Sequence, residues 1–130
     1  MQFLSDEWAE AYTTLINEDE TIQKKLKRFS SLFQYEVTDR EDIPTLVIEV
    51  QKGKCTSFGE RSAFHPKDIE FTMAADAQTW QKIFEHEIGM KEAVKTHKFH
   101  IDGPKLKALS NKTGLEKSVE LMLNMKHITV

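Results

Sequence analysis

Between Phe29 and Glu60 the apolar residues stop recurring at the helical period and alternate instead, and this switch limits the chain to folds that contain a sheet. Phe29, Ser31, Phe33, Tyr35 and Val37 alternate with Ser30, Gln34, Glu36 and Thr38, as in a strand with one buried face. The polar run Asp39–Asp42 and Pro44 separate it from a second strand, where Leu46, Ile48 and Val50 face away from Glu49 and Gln51. Lys52-Gly53-Lys54 reads as a hairpin turn into a weaker strand over Cys55–Glu60. Three strands in meander order are expected. Beyond a polar loop holding Pro66, Ile69, Phe71 and Met73 alternate with Glu70 and Thr72 as a fourth strand.

Helical patterns flank these strands. Ser5 is a good N-cap, and Asp6 and Glu7 place negative charge where the helix dipole favours it. Trp8, Tyr12, Leu15 and Ile16 form one stripe, Asn17 marks a stop, and Asp19 caps a short helix with Ile22 and Leu26. Asp76 caps a helix whose inner face is Trp80, Ile83 and Phe84, and Gly89 precedes a short helix with Met90, Ala93 and Val94. Phe99 and Ile101 alternate with Lys98, His100 and Asp102 as a fifth strand closed by Gly103. Leu106 and Leu109 share a short helix, and Gly114 separates it from a last one carrying Leu115, Val119, Met122 and Leu123. With no repeat and no linker, residues 1–130 read as one α+β domain, its helices gathered on one face of the sheet.

Composition narrows the function. Charged residues at 30% and hydrophobic residues at 39% describe a soluble globular chain. A net charge of -3 argues against nucleic acid as a partner. The lone Cys55 excludes an internal disulfide and fits a reducing compartment. No run free of Asp, Glu, Lys and Arg exceeds seven residues, and the acidic N-terminal stretch does not read as a secretory signal, so a cytoplasmic location is expected.

Catalytic chemistry finds little support. His86-Glu87 opens like a zinc-protease motif, but Met90 stands where the second His is required. His97 and His100 lie three apart on an expected strand, so they should face opposite ways and cannot chelate together. Cys55 has no neighbouring base, and the glycines form no phosphate-binding loop. The chain reads as a non-enzyme without metal or cofactor.

A binding cavity is the remaining reading of the residues themselves. Leu121 and Met125 widen the last helix's stripe beyond what packing on a sheet requires, and Met73, Met90, Met122 and Met125 can adapt to a flexible guest. The same positions serve equally well as plain core, and periodicity leaves the two readings open. Residues 1–65 hold 8 Lys+Arg against 12 Asp+Glu, whereas 89–130 hold 8 against 4. Lys98, Lys105, Lys107 and Lys112 gather around the helix start after Gly103, where they can meet an anionic head group or serve as an ordinary solvated face.

Phe3-Leu4-Ser5-Asp6-Glu7-Trp8, Ile69–Asp76, Thr79–Glu85 and Met90–Gly103 resemble small stand-alone members of the sterol carrier protein type-2 family. The resemblance spans essentially the whole chain and is most specific from 69 to 109. It implies a five-stranded, mostly antiparallel sheet with helices on one face, enclosing a hydrophobic tunnel. It also implies non-enzymatic carriage of a fatty acyl chain, acyl-CoA, phospholipid or sterol, with transient contact with a membrane surface. On that basis the guest lies between Phe71, Met73, Phe99 and Ile101 of the sheet and Trp80, Phe84, Val94, Leu106, Leu109, Leu115, Val119 and Met122 of the helices. Two departures stand near the expected mouth: His97, where relatives carry a glycine before the fifth strand's lysine, and Pro104 at the next helix start. They raise an alternative, an accessory module with a filled tunnel that assists a separate lipid-modifying enzyme.

Overall fold

Three side-chain caps set the helix starts in the computed structural model, which describes residues 1–130. Ser5 Oγ accepts from Trp8 N at 3.2 Å and starts α1, Asp6–Glu18. Asp19 accepts from Ile22 N and starts α2, Glu20–Lys25, and Asp76 accepts from Thr79 N at 2.7 Å and starts α3, Ala77–Phe84. The strands are β1 Ser31–Val37, β2 Leu46–Gln51, β3 Lys54–Glu60, β4 Phe71–Ala75 and β5 Phe99–Asp102; α4 spans Met90–Lys95, α5 Lys105–Ser110 and α6 Lys112–Leu123.

The sheet runs β3-β2-β1-β4-β5, antiparallel except where β1 meets β4. Lys52 and Gly53, at φ 51° and 82°, make the two-residue turn between β2 and β3, which matches the right-handed twist of the paired strands. Register places Phe33 beside both Ile48 and Phe71, and Tyr35 beside both Leu46 and Met73, so one face is a continuous apolar row. The helices cover that face. Its aromatic groups pack as two sets: Phe3, Trp8, Tyr12, Tyr35, Trp80, Phe84 and Phe99 at one end, and Phe29, Phe33 and Phe71 at the other. They belong to a single core.

The opposite face is partly covered as well. Single-turn 3-10 helices at Arg61–Ala63 and Pro66–Asp68 lead the chain back beneath it, and Phe64 packs beside Gly59, the β3 partner of the buried Val47. The two chain ends are paired: Phe3 N donates to Thr129 O at 2.8 Å, and Thr129 N donates to Met1 O at 2.9 Å.

Four sequence expectations change. β4 starts at Phe71, because Glu70 N already bonds to Leu32 O ahead of the regular ladder and Ile69 ends the preceding turn. His97 lies outside β5, at φ 61°, so it and His100 do not share a strand. Gly114 does not separate two helices but sits buried inside α6, against Leu26. In α4 it is Ala93 that reaches the core, while Val94 turns to solvent, since this short helix has one narrow inner face.

Candidate functional site

The inner face of the sheet changes from closed to open across its width. At the closed side, Trp80 is wholly buried against Phe3 and Phe99, and its Nε1 donates to Glu36 O at 2.9 Å. Trp8 is equally buried, but its Nε1 has no protein acceptor. Tyr12 donates to Ser118 O at 3.0 Å and lies edge-on to Tyr35. Burial raises the pKa of both phenols, and the nearby Cys55 adds to it; Tyr12 raises Tyr35 further, whereas hydrogen bonds to Tyr35 and Ser118 offset part of the shift of Tyr12. Burial also pushes the Cys55 thiol up to about 12, which leaves almost no thiolate at neutral pH and makes it a poor nucleophile. Asn17 holds that strand to α1 by accepting from Cys55 N at 2.7 Å and donating to Cys55 O at 3.1 Å.

The cover ends partway along β5, between the buried Phe99 and the exposed Ile101. Met73 and Ile101 are register partners on the same face, yet Met73 is 7% exposed and Ile101 50%. Next along, Gly103 approaches Phe71 so closely that a Cβ there would lie 2.3 Å from its ring. This contact leads to the stacked pair Phe33 and Phe71. α6 packs chiefly on α1, α2 and α5 rather than on a strand, and its Leu115 and Val119 are only half-buried.

The expected ligand-lining residues therefore divide. Trp80, Phe84, Phe71, Met73, Phe99 and Met122 are core. Leu115 and Val119 lie at its margin. Val94, Ile101, Leu106 and Leu109 are exposed. The expectation that α5 turns its leucines inward fails because its inner side is taken by Lys107 and Ala108. Lys107 Nζ donates to Ser30 O and to Glu70 Oε1, each at 2.6 Å, and stands 5.2 Å from the Phe29 ring centre. Burial alone would raise the Glu70 pKa, but Lys107 and the Ser31 hydroxyl, which donates at 2.7 Å, bring it below the ordinary value. Lys107 is thus a tie between α5 and the sheet. Lys98, Lys105 and Lys112 remain exposed, Lys112 with a loose ion pair to Glu116 at 3.8 Å.

Open pockets of about 650 and 390 Å³ lie elsewhere. The first is a polar groove beneath the outer face, lined in part by Leu32, Glu49, Phe64, His65 and Glu70. The second lies between the end of α3 and the residues after α6. No three His, Cys, Asp or Glu side chains are grouped to hold a metal ion, and no helix is long and apolar enough to cross a membrane.

One five-stranded sheet, roofed by helices on a single apolar face and open at β5, defines a domain of the sterol carrier protein type. The chain belongs to the SCP-2 sterol transfer family, whose sequence model matches residues 12–116. Solved structures agree in fold. A crystal structure of sterol carrier protein 2 superposes with a TM-score of 0.75 at 17% identity, covering 95% of this chain and 98% of that one. A conserved hypothetical protein from Thermus thermophilus, described as possibly a sterol carrier protein, gives 0.71 at 18% identity, covering 93% and 87%. The UbiJ-SCP2 ubiquinone synthesis protein gives 0.55 at 10% identity, covering 85% and 87%. No curated protein matches the chain in sequence.

Proposed function

We propose that the protein binds and carries a hydrophobic ligand with an acyl chain, without catalysing a reaction on it. Family membership supports the class of function. The observation that carries the reading to a site is the contrast between Met73 and Ile101, one apolar row that is sealed at β4 and open at β5. The chain of the guest runs inward from Ile101 along Met73, Phe71 and Phe33, beneath Leu115 and Val119. Burying about fourteen methylenes at roughly 0.8 kcal/mol each yields about 11 kcal/mol gross. Association costs about 4–15 kcal/mol, so micromolar affinity is expected. The ligand's head group remains at the open end.

A second reading, an accessory module with a filled interior, draws support from the packed rings of Trp8, Tyr12, Tyr35 and Trp80 and from pockets that lie away from the inner face. Native mass spectrometry with lipid extraction, followed by displacement of a fluorescent fatty acid at micromolar concentration, separates the two. The carrier reading expects bound lipid or saturable uptake, reduced by Ile101→Trp without loss of folding. Neither lipid nor uptake, in protein that is folded, would leave the accessory reading.

A further inference from the structure

The open groove of about 650 Å³ lies beneath the outer face of the sheet, away from the apolar row that the helices roof. Leu32, Ala63 and Phe64 give it apolar surface, and among its charged residues Glu49, Asp68 and Glu70 outnumber Lys67. Such a groove suits an apolar projection that carries positive charge. The chain itself bears one. Leu106 and Leu109 are 80% and 68% exposed and stand one turn apart on α5, which holds two lysines and no acid. A single exposed leucine is ordinary, but two on one turn form a ridge. Groove and ridge are neighbours, because Ser30 and Glu70 line the groove and also hold Lys107 of α5. With Lys107 tied there and Ala108 against the core, the leucines take the outward side of the helix.

We propose that two copies of this chain associate about a two-fold axis, with Leu106 and Leu109 of each copy entering the outer-face groove of the other. A two-fold interface requires a self-complementary patch, since the same surface must supply both partners. A ridge and a groove on distant faces would build an open-ended filament instead. Here both border Glu70, so one patch contains them and the assembly closes at two. Lys105 of each copy comes to the acidic rim of the other, and opposite charges there set the register. One short helix and one groove cover a small area, below about 1,200 Å² in total, so the association is weak and reversible. The pairing makes no use of the interior and stands whether or not the core holds lipid.

Sedimentation velocity from about 5 to about 500 micromolar, the range in which so small an interface dissociates, tests the proposal. The average mass of wild type should rise with concentration and level off at that of two chains. Leu106→Asp with Leu109→Asp should raise the dissociation constant about tenfold or more, because both apolar anchors become anions facing an acidic rim. Ala63→Trp should do the same by filling the groove from an exposed position. Mixing these two proteins should restore association in part, since one intact ridge then meets one intact groove. Lys105→Glu should weaken pairing about threefold or more. All the substituted side chains are exposed, so thermal melts should match wild type. A mass that stays at one chain, or that grows past two, overturns the proposal. Indifference to the leucine pair or to Lys105→Glu does so as well. An unaffected Ala63→Trp protein would mean that leucines meet leucines, and a mixture no better than its components would deny the exchange; either result overturns it.

Discussion

A Cβ placed on Gly114 would lie 2.5 Å from both Cγ and Cδ2 of Leu26, so α6 and α2 approach each other over a glycine that has no room to become anything else. Leu26 is buried and cannot swing away freely. Gly114→Val should destabilise by about 1–3 kcal/mol through overpacking. Gly114→Ala should cost less, since about 1 kcal/mol of helix propensity offsets part of the clash. Urea denaturation of the two variants checks the order, and an alanine variant more stable than wild type would contradict the contact.

His97 sits at φ 61°, a left-handed conformation that costs a residue with a side chain about 1–2 kcal/mol. Glycine adopts it freely but loses roughly 0.5–1 kcal/mol more entropy on folding. His97→Gly should therefore stabilise modestly, by about 0.5–1 kcal/mol, shifting the urea midpoint with an unchanged slope. A lower midpoint would contradict this balance.

Alkaline pH should unfold the protein cooperatively. Cys55, Tyr12 and Tyr35 all have pKa values raised by burial, so the folded state holds their protons more tightly than the unfolded state. Their contribution is fully present below the unfolded pKa values and is lost as pH rises through the folded ones. For Cys55 the window runs from the unfolded thiol, near 8.5, to about 12. Stability measured in urea should fall steadily from about pH 9 upward. Cys55→Ser should make the slope shallower. The 295 nm phenolate signal should rise only together with unfolding.

Removing the tie at Lys107 should loosen α5 alone. The pair with Glu70 is partly exposed, with side chains 32% and 36% accessible, so its loss costs no more than about 1 kcal/mol. Lys107→Met should speed hydrogen exchange in α5 and leave β1, β2 and β4 unchanged. Uniform acceleration across the sheet would show that Lys107 serves the whole core instead.

Local chemistry made much of this fold legible. Ser5, Asp19 and Asp76 act as the caps their types suggest, and the alternation from Phe33 to Val37 and from Leu46 to Val50 marks real strands. Gly114 misled because a glycine reads as a breaker from sequence, while its reason lies in Leu26, far away along the chain. The parallel pairing of β1 with β4 is non-local in the same way. At the site, Trp80 and Leu106 were both apolar residues on helices, and only the packing of neighbours shows one sealed and the other bare. Lys107 looked like its neighbouring lysines until Glu70 and Phe29 came beside it. No spacing rule encodes such a meeting.

The pairing of Met1 and Phe3 with Thr129 makes the polypeptide almost a closed loop. A short linker would join its ends with little disturbance, and new ends could then be opened at the exposed Lys52. A circularly permuted form should keep the aromatic core. Conversely, a bulky fusion attached at Met1 or at Val130 presses on one and the same seam, so moving it from one position to the other would bring no relief.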